Sequence, residues 1–169
     1  IRNRLGEWAD SADRLTALLK SRDEPLSLLA ALPIPIYMTT NYDDLLARAL
    51  KVAEQEKTPQ LEFCCWNKYM RSKLAEQRRY SLFDSQPDFI PTPRTPVVFH
   101  LHGHYELPES IVVTEDDYLE YLVNITRNPK LLPPPIEAAM ANTSLLFVGY
   151  RLADWNLSLI HISEPTRPY

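Results

Sequence analysis

Three short apolar segments constrain the fold most strongly, because each one ends directly at polar residues or at a glycine. They are Ile34–Met38, Val97–Leu101 and Leu145–Val148. Uncharged segments of this length are typical of buried strands. Stretches with apolar residues three and four positions apart, the spacing of a helix face, separate them. This alternation predicts an α/β fold in which the three segments are parallel neighbours in one sheet flanked by helices.

Five helices are predicted from apolar faces or from capping patterns at their starts. They are Leu5–Leu19, a short helix capped by Asp23, Tyr42–Ala53, a helix opened by Thr114, and Pro133–Ala141. Thr114 and Asp117 have the spacing of a capping box, in which each side chain accepts from the other residue's backbone N–H. We also expect a short strand at Ile111–Val113.

Residues 57–96 are the least regular part of the chain. They contain five prolines and a basic stretch from Lys68 to Arg79. We interpret them as a loop-rich insertion that packs outside the sheet, with one helix around Lys68–Gln77. The two cysteines of the chain, Cys64 and Cys65, are adjacent, so we expect neither a zinc site nor a disulfide framework, and we predict a cytoplasmic protein.

Charge, hydropathy and glycine content exclude several function classes. The net charge is −4, which does not favour nucleic acid as a partner, and the apolar runs are shorter than the ~18–20 residues of a membrane span. The three glycines, Gly6, Gly103 and Gly149, cannot supply a GxGxxG fingerprint or a P-loop. A phosphate-binding loop is therefore absent from this chain or built differently.

The first candidate site is the run from Thr39 to Asp44, which reads TTNYDD and joins a predicted strand to a predicted helix. Ligands of open α/β sheets bind at the carboxyl ends of strands, and Asn41 there can hydrogen-bond a sugar or an amide. A structural alternative is also open, because Asn41 is a good helix N-cap and Asp44 can complete a box-like cap.

The second candidate site is the run HLHGH, where His100, His102 and His104 would share one face if the strand continued. That arrangement suits a metal-dependent hydrolase, although zinc needs three or four ligands. Gly103 indicates instead that the strand breaks after His102, which would separate His104 from the other two. A histidine beside a glycine at a strand end is also suited to act as a general base, and buried structural histidines are a third alternative.

The third candidate site follows the last apolar segment, in the run LLFVGYRLADWN from Leu145 to Asn156. Gly149 permits close approach of the backbone to a ligand or a turn with positive φ. Asp154 can simply cap a following helix.

Taken together, TTNYDDLLARAL, HLHGH, VVTEDDYLEYL and FVGYRLAD resemble segments of the sirtuin-like family of NAD-consuming domains, in the bacterial branch found in anti-phage defence proteins. The resemblance extends from Pro33 to Asn156. Sirtuin deacylases carry a four-cysteine zinc module that this chain lacks, which favours NAD hydrolysis over deacylation. Arg151 replaces the serine that is common in the family.

The resemblance implies a Rossmann-like domain in which NAD is the substrate and the nicotinamide–ribose bond is broken, with no metal. Asn41 would orient the ribose or a water molecule, and His102 would act as the base or as a hydrogen-bond partner at the ribose hydroxyls. Asp43 would hold the carboxamide. The cofactor-binding residues implied are Thr39, Thr40, Asp43, Gly103, Gly149 and Tyr150.

Two alternatives to an NAD hydrolase are kept: a module that binds NAD or a related nucleotide without turnover, and a metal-dependent hydrolase that uses the histidine run. We expect the sirtuin-like domain to occupy residues 1–156 and to be incomplete at both ends. Residues 157–169 contain a run, LSLIHISEPTR, that matches a translated sequencing adaptor, so we predict that they are not part of the domain. Further domains in a longer parent protein are expected, and homo-oligomerisation is left open.

Overall fold

The computed structural model describes residues 13–149, apart from residues 22, 54–56, 68, 71, 73–75, 77–80 and 129–130. The start of the first predicted helix, Tyr150, Asp154 and the predicted adaptor-derived tail at 157–169 lie outside the described residues.

A parallel sheet of three strands lies at the centre of the described structure. Its strands are β1 (Ile36–Thr39), β2 (Gln60–Phe63) and β3 (Val97–His100), in the spatial order β1–β3–β2. Both neighbours run parallel to β3, and Thr39 and Phe63 are both in register with His100. The prediction of a parallel α/β sheet flanked by helices is confirmed, and so are the strands near Ile34–Met38 and Val97–Leu101.

Strand β2 lies inside the segment that we expected to pack outside the sheet, so that prediction was wrong. Glu62, in the middle of the strand, conceals its buried character in the sequence. The carboxylate of Glu62 is buried and accepts hydrogen bonds from the backbone N–H of Leu82, at 2.6 Å, and from the Ser81 hydroxyl, at 2.8 Å. Burial raises the pKa of Glu62, and these donors oppose that shift.

The predicted strand Leu145–Val148 is also wrong, because residues 144–148 form no strand in the described structure. The apolar side chains in this segment are 38–68% exposed. A run of apolar residues indicates burial but does not indicate whether a sheet edge is available for pairing. None of the described strands pairs with Leu145–Val148.

Residues 111–113 do not form the predicted short strand. They follow a 3₁₀ turn at Pro108–Ser110, and the backbone N–H of Val112 donates to the carbonyl of His102 at 3.0 Å. This bond folds the segment back onto the histidine run and away from the sheet.

The helices agree with the sequence patterns, apart from the four-residue helix Leu82–Ser85, which was not predicted. In chain order they are α1 (13–19), α2 (Pro25–Ala31), α3 (Leu45–Val52), α4 (Leu82–Ser85), α5 (Glu115–Arg127) and α6 (Pro134–Asn142). The N-cap of α2 is Glu24 rather than Asp23, and α3 begins three residues later than predicted. The capping box of Thr114 and Asp117 is confirmed at the start of α5. Residues 69, 70, 72 and 76, inside the helix predicted around Lys68–Gln77, are helical.

The core has two parts because successive side chains of β3 point to opposite faces of the sheet. Val97 and Phe99 pack in a cluster with Tyr121 of α5 and Ile136 of α6. Val98 packs in a second cluster with residues of α2 and α3 that include Leu50. All four residues of β3 are buried, so the sheet is a central layer with helices on both faces, a Rossmann-like arrangement. None of the described helices has the length and apolar character that crossing a bilayer requires.

Candidate active site

A cleft of about 550 Å³ lies beside the carboxyl ends of β1 and β3. Its lining residues are Thr40, Asn41, Tyr42, Asp43, His102 and Tyr105. Asn41 and Asp43 follow β1, whereas His102 follows β3, and the two strands are parallel neighbours. Residues singled out in two separate motifs therefore meet in one cleft. The chemical roles assigned to them stay predictions.

Asn41 does not cap a helix, so the structural alternative for this residue is wrong. Helix α3 begins at Leu45 and its N-cap is Asp44, whose side chain makes no capping bond. The carboxylate of Asp43 accepts from the Leu45 N–H at 3.0 Å instead. Asn41 is exposed, and its own N–H donates to the Thr39 hydroxyl at 3.0 Å. Its side-chain amide is not used by the helix and can serve a ligand.

Three hydrogen bonds tie the loop after β1 to the loop after β3. The Nδ1 atom of His100 lies 3.0 Å from the carbonyl oxygen of Asn41. The backbone N–H of Tyr105 donates to the carbonyl of Tyr42 at 2.9 Å, and the Tyr42 hydroxyl donates to the carbonyl of Val112. Because the bonds involve both loops that line the cleft, they fix the position of Asn41 relative to the histidine run.

The three histidines of HLHGH do not share one face. Strand β3 ends at His100, and the rings of His100 and His104 meet edge-on with their centroids 4.8 Å apart. The ring of His102 lies instead against Tyr121, at 5.0 Å. His104 therefore stays beside His100, contrary to the expected separation. Across the described residues, no group of three His, Cys, Asp or Glu side chains is placed to hold a metal ion, so the metal-dependent alternative gains no support.

His102 is buried, with 8% of its surface exposed, and yet it lines the cleft. Its ring packs edge-on against Tyr121 and, at 6.0 Å, against Tyr118 of α5. Its backbone carbonyl accepts from Val112. A histidine that lines a cleft and whose ring is held by packing is suited to exchanging a proton with a bound substrate.

Gly103 has a structural explanation that the sequence did not reveal. Its φ is +93°, and a Cβ atom at this position would lie 2.3 Å from the carbonyl oxygen of Ser110. Gly149 also has a positive φ, +78°, but nothing lies within 4 Å of a Cβ placed there. The lining of the cleft, as far as the structure describes it, includes neither glycine, nor Thr39; Tyr150 lies outside the described residues. Their proposed contacts with a cofactor stay predictions.

Two lining residues, Tyr42 and Tyr105, escaped the sequence reasoning. Tyr42 stands inside TTNYDD and could have been noticed there. Tyr105 follows HLHGH directly, but no local pattern indicates that its backbone bonds to a residue 63 positions earlier, at Tyr42. Such a contact depends on the two strands being neighbours.

Comparison with known proteins agrees with the resemblance noted in the sequence. A profile described as the SIR2-like domain matches residues 35–161. A protein named "NAD(+) hydrolase ThsA" from Bacillus cereus (strain MSX-D12) is 32% identical over 133 residues, which are 79% of this chain and 23% of that protein. A protein of the same name from Acinetobacter baumannii (strain 532279) is 27% identical over 137 residues, 79% of this chain and 22% of its own length.

"Defense-associated sirtuin 2" from Bacillus subtilis is 25% identical over 126 residues, which are 73% of this chain and 10% of that protein. The chain thus spans less than a quarter of the length of these relatives.

Proposed function

The chain belongs to the SIR2-like domain family, and on that premise we propose that it carries the NAD-cleaving site of a longer bacterial anti-phage defence protein. The reaction is hydrolysis of the nicotinamide–ribose bond. One observation carries the proposal: Asn41, Asp43 and His102 line a single cleft at the carboxyl ends of two parallel strands. The names of the relatives, NAD(+) hydrolase, supply the substrate.

The charge of the cleft suits one end of NAD in particular. Its described lining contains the carboxylate of Asp43 and two tyrosines, and it contains no lysine or arginine. The oxidised nicotinamide ring is cationic, and both carboxylates and aromatic faces attract cations. We therefore assign the cleft to the nicotinamide ribose and expect the pyrophosphate to bind outside it.

Hydrolysis breaks the bond between the ribose C1′ and the pyridinium nitrogen, and the electron pair of that bond leaves with nicotinamide. Positive charge then develops on the ribose, and a water oxygen bonds to C1′ and gives up one proton. Such a reaction depends on positioning and charge stabilisation more than on a strong nucleophile. Asn41 would hold the water or a ribose hydroxyl through its amide, and His102 would accept the proton.

The proposed cellular compartment and partners follow from the cysteines and from the net charge. Cys64 and Cys65 are adjacent in the sequence and offer no disulfide framework, which supports a reducing, cytoplasmic environment. The net charge of −4 gives no reason to add nucleic acid as a partner. Further domains of the longer protein would control the cleft.

The test is release of nicotinamide from NAD by the longer protein and by its His102→Ala and Asn41→Ala variants. General acid–base assistance is typically worth ~10²–10⁴-fold, so we expect either variant to lose at least a hundredfold in turnover. The thermal midpoint of Asn41→Ala should stay near that of the unmodified protein, whereas His102→Ala removes a buried ring and should fold with a lower midpoint. Asn142→Ala removes another exposed asparagine, at the end of α6, and should leave turnover unchanged.

Unchanged turnover in a folded His102→Ala variant would contradict the role of that residue. Tight binding of NAD without any release of nicotinamide would instead favour the binding module.

A further inference from the structure

We propose that His100 is a positioning residue of the cleft, which holds Asn41 in place through a hydrogen bond from its Nδ1–H to the Asn41 backbone carbonyl. The proposal rests on the proposed function for its kinetic readout. It assigns a role to a histidine that does not line the cleft. The sequence had left three roles open for the histidines of this run: metal ligand, general base or buried structural residue.

The placement of His100 is fixed by the sheet. It is the last residue of β3, it is fully buried, and it is in register with Thr39 on one side and Phe63 on the other. Its ring lies 5.7 Å from that of Phe63 and 4.8 Å from that of His104. The ring is therefore held by packing, and its Nδ1 atom lies 3.0 Å from the carbonyl oxygen of Asn41.

The partner atom determines which ring nitrogen carries the hydrogen. A carbonyl oxygen can only accept a hydrogen bond, so Nδ1 must be the donor. Burial lowers the pKa of His100, against an opposing effect of its bond to Asn41, so the ring is neutral and has a single N–H. The ring is thus in the Nδ1–H form, and Nε2 keeps its lone pair.

Packing alone does not explain a histidine at this position. The Nε2 atom of His100 is buried and finds no hydrogen-bond partner among the described residues. A buried nitrogen without a partner is unfavourable, and a leucine would fill the same space without that cost. The feature that leucine lacks is the donor at the position of Nδ1.

The bond acts on one of the two residues to which the proposed chemistry is assigned. The N–H of Asn41 donates to Thr39, and its carbonyl accepts from His100, so both polar groups of its backbone are held. The side chain of Asn41 makes no such bond in the described structure. Its position is therefore set through the backbone, and a small displacement of reacting groups can cost ~10²-fold in rate.

Two variants of equal shape separate positioning from packing. His100→Asn places an amide N–H where Nδ1 stood, and His100→Leu places a methyl group there. In the longer protein, we expect His100→Leu to reduce kcat for nicotinamide release by about 10- to 100-fold, with KM changed by less than about threefold. His100→Asn should keep kcat within about threefold of the unmodified protein.

Thermal midpoints decide whether folding is responsible. We expect His100→Leu to be at least as stable as His100→Asn although it is the slower enzyme, because leucine brings no polar group of its own into the buried site. Equal losses of kcat in both variants, or full activity in His100→Leu, would overturn the proposal.

A second readout needs no catalysis and keeps the proposal distinct from the proposed function. In protein labelled with ¹⁵N-histidine, the His100 ring should be in the Nδ1–H form at neutral pH. The backbone amide of Tyr42, which shares a peptide unit with the Asn41 carbonyl, should shift in His100→Leu and much less in His100→Asn. If the unmodified protein released no nicotinamide, the proposed function would fail and these spectra would still decide the role of His100. A ring in the Nε2–H form would overturn it.

Discussion

Gly103 allows the histidine run to turn back onto Ser110, and this contact can be tested by adding one methyl group. Gly103→Ala would place a Cβ 2.3 Å from a backbone oxygen, in a residue whose φ is +93°. The left-handed conformation alone costs roughly 1–2 kcal/mol for a residue with a side chain, and displacing the Ser110 backbone adds to it. We expect the free energy of unfolding in urea to fall by more than about 2 kcal/mol.

Gly149→Ala is the matched control, because its φ of +78° carries the conformational cost while nothing lies within 4 Å of the added Cβ. It should lose only about 1–2 kcal/mol. Equal losses in the two variants would mean that Ser110 does not constrain Gly103.

At the scale of single residues, the sequence predicted the contents of the cleft better than its construction. Asn41, Asp43 and His102 were identified because each stands in a short motif at a strand end. The role of His100 was not predictable, since it depends on where β3 ends and on which loop lies beside it. Tyr105 escaped for the same reason: its partner lies on another strand's loop.

Among the helices, α5 has the clearest start signal, and its capping box can be removed in parts. The N–H of Asp117 donates to the Thr114 hydroxyl at 3.1 Å, and the N–H of Thr114 donates to the Asp117 carboxylate at 2.9 Å. Thr114→Ala removes the first of these bonds. We expect it to lower the free energy of unfolding by about 1 kcal/mol, measured by chemical denaturation at neutral pH. No change would mean that the box does not stabilise the helix.

The other half of the box predicts a dependence on pH. Hydrogen bonds from Thr114 hold the pKa of Asp117 below its ordinary value. A carboxyl group whose pKa is lower in the folded state stabilises the fold fully above its unfolded-state pKa, about 3.9, and this contribution is lost as the pH falls through the folded-state value. We expect Asp117→Asn to be less stable than the unmodified protein at pH 6. Between pH 6 and pH 3, the free energy of unfolding should fall less in Asp117→Asn than in the unmodified protein.

Asp116→Asn is the control for this prediction, since it removes a carboxylate from the same turn without touching the box. The unfolding free energy of Asp116→Asn should change with pH nearly as it does in the unmodified protein, whereas that of Asp117→Asn should change less. The same loss of pH dependence in both variants would assign the effect to the charge of the turn rather than to the capping bonds.

The elements that the sequence predicted correctly have signals confined to themselves. Helix α5 has its box, α6 has prolines in its first turn, and β3 is apolar up to its last residue, His100. The prediction missed strand β2 because the carboxylate of Glu62 can be buried there only with hydrogen-bond donors from residues 19 and 20 positions later in the chain. For residues 145–148 the error was the reverse, a strand predicted where none forms. They have the composition of a strand but no described strand lies beside them to pair with.

For the molecule as a whole, the two parts of the core should unfold together, because β3 contributes side chains to both. Leu50 is fully buried in one cluster, and Trp66 is buried in the other. Leu50→Ala should lower the free energy of unfolding by about 2–5 kcal/mol. In a Trp8→Phe, Trp155→Phe background, the fluorescence of Trp66 should report the same midpoint as circular dichroism.

Leu28→Ala, at an exposed position on α2, should change stability by less than about 0.5 kcal/mol. If Trp66 unfolded at its original midpoint in Leu50→Ala, the two faces of the sheet would be independent units.

The place of β3 between β1 and β2 also decides when this chain can fold as it leaves the ribosome. β1 and β2 are synthesised first, yet among the described strands each pairs with β3 and neither pairs with the other. Residue 36 must wait for residue 97, a delay of ~3–12 s at ~5–20 residues per second. During that interval the nascent chain carries β1 and β2 without the strand that pairs with both, so we expect its greatest need for a chaperone to fall before synthesis of β3 is complete.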